Sequence, residues 1–177
     1  MPPMDLIDLY TPDDIVAAVE KVGREIANDY RDKNPLFVGV LTGSFVFVAD
    51  LMRAAAIPSQ VDFIRARSYG SSMESSGAVE ITKDIEHDVR DRHVILVEDI
   101  LDTGLTLRFV EDRIRVGKPA SVVACALLSR SGQPKPEYWG IEVPPGFVVG
   151  YGIDYAEQYR WLTSIKTVAG TGDHALD

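Results

Sequence analysis

An α/β fold, with a mostly parallel central sheet covered by helices on both faces, is the class this sequence predicts. Three observations carry that expectation. The apolar runs Leu36–Leu41, Val94–Val97 and Ala120–Leu128 are too continuous for a half-exposed sheet and suit parallel strands buried on both sides. Segments of helical periodicity alternate with them, the order from which crossover connections build a parallel sheet. The 177 residues, 46% apolar and 25% charged, are enough for one domain with a sizeable core, and no repeat or linker divides them.

The elements follow in order. Thr11-Pro12-Asp13-Asp14 starts a helix with a cap, a proline in the first turn and acids facing the dipole. Ile15, Val19, Val22 and Ile26 recur at helical spacing and extend it to about Arg31. The strand Leu36–Leu41 runs into a tight turn, Thr42-Gly43-Ser44, and a helix through about Ala56. Gln60–Ser68 alternates as a strand, and Tyr69–Gly77, rich in Ser and Gly, reads as a mobile loop. A strand at Val79–Thr82 and an acidic linker, Lys83–Arg92, lead to the strand Val94–Val97, with Glu98 and Asp99 emerging at its end. A helix from Gly104 to about Val116 stops at Gly117, before Pro119. Ala120–Leu128 is a long strand, 130–137 a Pro-rich loop, and short strands are expected at Tyr138–Ile141, Phe147–Tyr151 and Ser164–Val168, before a disordered tail at 170–177.

Bulk properties exclude several classes of function. A net charge of −9 disfavours a general nucleic-acid surface. No apolar run approaches the ~20 residues that span a membrane, and the acidic start MPPMDLIDLY is unlike a signal peptide. The single cysteine, Cys125, excludes an internal disulfide, sits among apolar neighbours as a core residue, and fits a cytoplasmic protein.

The chemistry concentrates in Val94–Leu107, VILVEDILDTGLTL. Asp102-Thr103-Gly104-Leu105-Thr106 supplies a small-residue turn, two hydroxyls and a row of backbone N–H groups at a helix N-terminus, which is an anion site suited to phosphate. Carboxylates beside a phosphate cradle suit Mg²⁺ or sugar hydroxyls. On residue types alone, the stretch also reads as an ordinary N-cap with solvated acids. The stretch resembles the 5-phosphoribosyl-1-pyrophosphate (PRPP) motif of the type I phosphoribosyltransferases. Together with VLTGSFVFVADL (40–51), RSYG (67–70) and GFVVGYGIDYAEQYRWL (146–162), it resembles the hypoxanthine-guanine branch of that family over roughly residues 8–168.

The resemblance implies a type I phosphoribosyltransferase fold, with a small hood built from N- and C-terminal segments. It implies transfer of the 5-phosphoribosyl group of PRPP to N9 of a 6-oxopurine in purine salvage. Glu98 and Asp99 would bind the ribose hydroxyls and the Mg²⁺–PRPP complex. Asp102 would be the general base towards purine N7, and Thr103, Gly104, Leu105 and Thr106 would cradle the 5′-phosphate. Leu41-Thr42-Gly43 would be the pyrophosphate loop, with a non-proline cis peptide, and Arg160 would contact pyrophosphate. Ser68 and Tyr69 would open the loop that closes over the reacting centre. Phe147 would stack on the purine, the Val148 backbone would read its edge, and Asp154 would hold a second Mg²⁺. A homodimer or homotetramer is implied as well.

Read without the family, Phe147 is a stacking face or a core ring, Asp154 a ligand or a turn residue, and Arg160 an anion contact or a surface charge. Two positions depart from the family pattern. Thr42 stands where a lysine is common, and Arg130 stands where a lysine reads the 6-oxo group; Arg and Lys are not interchangeable. The order of preference among hypoxanthine, guanine and xanthine therefore stays open. The alternative from another class is a nucleotide-sensing RNA-binding regulator on the same fold, disfavoured by the charge of −9 and by Phe147 with Asp154.

Overall fold

The structure, a computed structural model, describes residues 5–68 and 79–168. The expected mobile loop at Tyr69–Gly77 and the expected tail at 170–177 lie outside the described residues. The first strand, β1 (Leu6–Tyr10), was not anticipated, because Leu6-Ile7-Asp8-Leu9-Tyr10 is short and begins beside two prolines. Helix α1 (Pro12–Tyr30) begins at the expected cap: the Asp14 amide donates to Thr11 Oγ1 at 3.2 Å, and the Thr11 amide donates to Asp14 Oδ2 at 2.9 Å. Its buried face includes Ile15, Val19, Val22 and Ile26, as the periodicity predicts.

Strand β2 (Leu36–Leu41), helix α2 (Phe45–Ala55), strand β3 (Gln60–Ser68) and strand β4 (Val79–Lys83) follow. Strand β5 (His93–Leu101), helix α3 (Leu105–Arg115), strand β6 (Ser121–Arg130) and strand β7 (Tyr138–Val143) complete the main sheet. Its order is β4-β3-β2-β5-β6-β7; β4 is antiparallel to its neighbour, and every other pairing is parallel. One face packs on α1 and α2 through Phe37, Phe47, Leu51, Ile95 and Leu127. The opposite face packs on α3 through Leu36, Val38, Leu96, Val110 and Ile114. Burial on both faces is why these strands read as unbroken apolar runs. Cys125 is buried and free, as expected of a core thiol. Among the described residues, no helix is long and apolar enough to cross a membrane.

The C-terminal segment differs from expectation. The strand predicted over Phe147–Tyr151 contracts to β8 (Val148–Val149), because Gly146, Gly150, Tyr151 and Gly152 all adopt positive φ and cannot continue a ladder. Strands β1, β9 (Ile165–Val168) and β8 form a separate antiparallel sheet, the hood implied by the family resemblance.

Away from that hood, the buried carboxylate of Asp62 ties the linker after β4 to β3. It accepts hydrogen bonds from the amides of Phe63 (2.7 Å), Glu86 (2.7 Å) and His87 (2.9 Å), and lies 2.9 Å from His87 Nδ1. Burial alone would raise its pKa; the hydrogen bonds from His87, Phe63 and Glu86 outweigh it and hold the carboxyl well below the usual range. A depressed folded pKa gives stability that is present above the unfolded value near ~4 and is lost as pH falls below it. Asp62→Ala should destabilise the fold by about 2–4 kcal/mol at neutral pH, since it strands buried donors. Urea unfolding should show the gap between wild type and variant shrinking towards pH ~3; a gap independent of pH would assign it to packing instead.

Candidate active site

The parallel strands bring their carboxyl ends to one edge in the order β3, β2, β5, β6, β7, and open α/β sheets bind ligands at that edge. After β2, the Leu41–Thr42 peptide is cis, matching the family expectation. The turn is held from below by buried Ser44, whose hydroxyl donates to the Val40 carbonyl at 2.6 Å. It is held from the side by Arg65, whose Nη2 donates to Thr42 Oγ1 at 2.9 Å. Gly43 is required by contact: a Cβ there would lie 1.6 Å from Asp99 Oδ2. Gly152 in turn lies against the Gly43 carbonyl, which a Cβ would approach to 2.5 Å.

The acid pair does not emerge past its strand, as the sequence suggested. Strand β5 continues to Leu101, because β6 runs on beside it and pairs Glu98 with Ala126, Ile100 with Leu128 and Leu101 with Ser129. Burial pushes Glu98 well above the ordinary carboxylate range, and the neighbouring Asp99 charge adds to this. Burial also pushes Asp99 up to about 6; the Ile100 amide and Arg160 oppose the rise, and Asp154 adds to it. These acids sit where a cation, or hydroxyls that donate to them, would relieve the crowding.

Beyond Leu101 the chain turns through Asp102 and Thr103 to Gly104, at φ 74°, which as N-cap has no side chain to offer; the Leu105 amide donates only a long bond, 3.5 Å, to Thr103 Oγ1. Glu98 and the run Ile100–Leu107 line a small cavity of about 90 Å³ there, at a helix N-terminus of the kind that binds anions. A second cavity, of about 360 Å³, is lined by Asp102, Arg130, Ser131, Gln133, Pro145, Gly146 and Phe147, within the ~300–1,000 Å³ range of small-molecule sites. Asp102 lines both cavities.

The larger cavity has an aromatic wall and a cationic wall. Phe147 is 56% exposed, which answers the question of a core ring, and Tyr155 meets it edge to face at 5.6 Å. Arg130 Nη1 donates to the Pro144 carbonyl at 2.6 Å, so the guanidinium also secures the segment that carries Phe147. The Val148 side chain is buried, and its backbone pairs with Thr167. Arg160 is likewise at the edge: Nη1 donates to the Gly152 carbonyl at 2.8 Å, and Nη2 lies 2.7 Å from Asp154 Oδ1. Asp154 Oδ2 accepts from the Glu157 amide at 2.8 Å. Ser68 ends β3 at the same edge, whereas Tyr69 lies outside the described residues.

Sequence reasoning missed Ser131 and Gln133 in the larger cavity, because a Pro-rich loop gives no periodic signal, and it assigned no role to Pro145 and Gly146 just ahead of Phe147. It also missed Arg65. A charged side chain near the carboxyl end of a strand flanking the Thr42 turn was the available clue.

The phosphoribosyl transferase domain family matches residues 8–156. This chain belongs to the phosphoribosyltransferases. It is 41% identical over 167 residues to a hypoxanthine phosphoribosyltransferase of Haemophilus influenzae, covering 90% of this chain and 93% of that one. A hypoxanthine-guanine phosphoribosyltransferase of Mycobacterium avium is also 41% identical, over 90% of this chain and 84% of its own. The crystal structure of a hypoxanthine-guanine phosphoribosyltransferase from Bacillus anthracis, with HEPES in its active site, superposes with a TM-score of 0.86. That protein is 38% identical, with 94% of this chain and 99% of the other covered. The family match takes in all six strands of the main sheet of this phosphoribosyltransferase.

The Gly43–Asp99 contact yields a direct test. Gly43→Ala should cost about 1–3 kcal/mol, because the added methyl displaces a carboxylate lodged between two strand ends. Combining it with Asp99→Ala should recover more than about 1 kcal/mol relative to the sum of the single changes, read by urea unfolding. Strictly additive effects would show that the two residues do not contend for that space.

Proposed function

We propose that this phosphoribosyltransferase moves the 5-phosphoribosyl group of PRPP to N9 of hypoxanthine, and of guanine, releasing pyrophosphate in purine salvage. The observation that carries the reading is that Asp102 lines both the cavity at the α3 amides and the cavity between Arg130 and Phe147. A phosphoribosyl group in the first and a flat base in the second would meet at that carboxylate. Relatives named for hypoxanthine support the choice of base.

In this arrangement Thr103, Gly104, Leu105 and Thr106 take the 5′-phosphate, and Glu98 and Asp99 take the ribose hydroxyls. Phe147 stacks on the base, the Val148 backbone meets its edge, and Arg130 donates to O6. The C1′–O bond to pyrophosphate breaks as N9 bonds to C1′, through a transition state of oxocarbenium character. Asp102 accepts the proton that leaves N7. Negative charge collects on the departing pyrophosphate, which the amides of Leu41–Gly43 and Arg160 receive.

Mg²⁺ fits the donor set, because Glu98, Asp99 and Asp154 offer the hard oxygen ligands it prefers. Among the described residues, no group of three or more His, Cys, Asp or Glu side chains could hold a metal by itself. Substrate oxygens would complete the coordination of such an ion, as is common for Mg²⁺. Bound with PRPP, it would offset charge on the leaving group. A cytoplasmic setting suits the free Cys125. Exposed Trp161, Val16 and Phe45 form an apolar face suited to a homodimer or homotetramer.

Steady-state assay with hypoxanthine, guanine, xanthine and adenine tests the reading: turnover of the first two is expected, and activity on none would overturn it. Asp102→Asn should lower kcat by ~10²–10⁴ with PRPP affinity nearly unchanged; a near-normal kcat would remove it as the base. Arg130→Ala should cost ~1–3 kcal/mol in kcat/KM for hypoxanthine, with Arg130→Lys recovering only part, since a lysine cannot hold both O6 and the Pro144 carbonyl as a guanidinium does. Calorimetry in excess EDTA should show little PRPP binding; tight metal-free binding would contradict the role given to Mg²⁺.

A further inference from the structure

The edge of the sheet carries four carboxylates, Glu98, Asp99, Asp102 and Asp154, in a chain of net charge −9. Its described cations are placed unevenly. Arg160 lies within ion-pair distance of both Asp154 and Glu157. Arg130 faces the base cavity, beyond β5. Arg65 is different. It stands opposite Leu41 in the β3–β2 register, at the strand end beside the Thr42 turn. Its Nη2 reaches Thr42 Oγ1, and among the described residues no carboxylate lies within ion-pair distance of it.

We propose that Arg65 is the cation of the pyrophosphate half of the site, held over the Leu41–Gly43 amides by the Thr42 hydroxyl. The inference rests on the phosphoribosyl-transfer reading. Sheet order supports it: with the phosphoribosyl group over β5 and the base over β6, a leaving group on the other side of C1′ lies over β2, and β3 is the strand beside it. A partly buried guanidinium with no acidic partner is costly unless an anion completes it. A guanidinium can bind phosphate oxygens bidentately while another of its N–H groups holds a neighbour. The Thr42 oxygen accepts from Arg65, so its own O–H is left to donate to the same anion. Thr42 and Arg65 thereby act as one unit, the hydroxyl setting the guanidinium's direction and the guanidinium supplying the charge.

The experiment compares wild type, Arg65→Gln, Arg65→Lys and Thr42→Val in steady-state transfer to hypoxanthine and in direct titration with Mg²⁺-pyrophosphate. Arg65→Gln should raise both the PRPP KM and the pyrophosphate dissociation constant about 10- to 100-fold, the range of a charged hydrogen-bonded pair. The hypoxanthine KM should stay within about twofold, since two strands, β2 and β5, lie between Arg65 and the base cavity. Arg65→Lys should recover only part of the loss, since an ammonium restores the charge but not the fork, and Thr42→Val should lose less than Arg65→Gln because it keeps the charge. An active Arg65→Gln enzyme with unchanged PRPP KM would overturn the proposal. So would Thr42→Val reproducing the whole effect, which would make Arg65 a prop for the turn. If the wild type transfers to no purine, the phosphoribosyl-transfer reading fails, and the pyrophosphate titration alone judges Arg65.

Discussion

The arrangement depends on one close contact, the Asp99 carboxylate lying where Gly43 has no Cβ. Parallel pairing of β2 with β5 sets the two strand ends side by side, but only a residue without a side chain lets an acid from one lie directly on the turn of the other. Gly152 extends the same logic, setting the turn before Asp154 on the Gly43 carbonyl. Three segments far apart in sequence thereby meet at glycines where an added Cβ would clash. Interiors packed this tightly respond to a change at one position by moving the others, and Asp99, the cis turn and the Gly152–Arg160 segment are in such contact.

Much of this was legible in the sequence. The continuous apolar runs identified the doubly covered sheet, and the cap at Thr11 and the Gly104 turn identified two helix starts to within a residue or two. The strand ends were less legible: nothing in Glu98-Asp99-Ile100-Leu101 says that the ladder persists, because persistence depends on the length of β6 beside it. The short β8 was overestimated for a local reason, glycines that leave the strand region, and β1 was overlooked because its partner, β9, is distant in sequence. Of the site, the phosphate turn and the acids were visible as motifs, and Arg130 and Phe147 through resemblance. Gln133 and Arg65 were not, since each gains its meaning only from what the fold sets against it.

An acidic protein that handles anions faces an electrostatic conflict, and the solution here is local. The α3 turn proposed for phosphate would rely on amide dipoles, which carry no net charge and do not attract counter-carboxylates. The carboxylates are instead concentrated and partly desolvated, which raises the pKa of Glu98 and Asp99 and leaves a crowding that a cation would relieve. Global charge thus reveals little about what the cleft binds, and the placement of a few arginines reveals a good deal.

The wall of the larger cavity is, apart from Asp102, drawn wholly from Arg130–Gln133 and Pro145–Phe147. Apart from Asp102, everything that would touch the base is therefore encoded from the end of β6 onward, while Glu98, Asp99 and the turn before α3 are encoded ahead of it. A single recombination crossover near residue 120 would exchange one half and leave the other intact, provided the β5–β6 pairing is preserved. Such a division would let a lineage vary the wall of that cavity while keeping Glu98, Asp99 and the α3 turn, provided the incoming half retains Asp154 and Arg160.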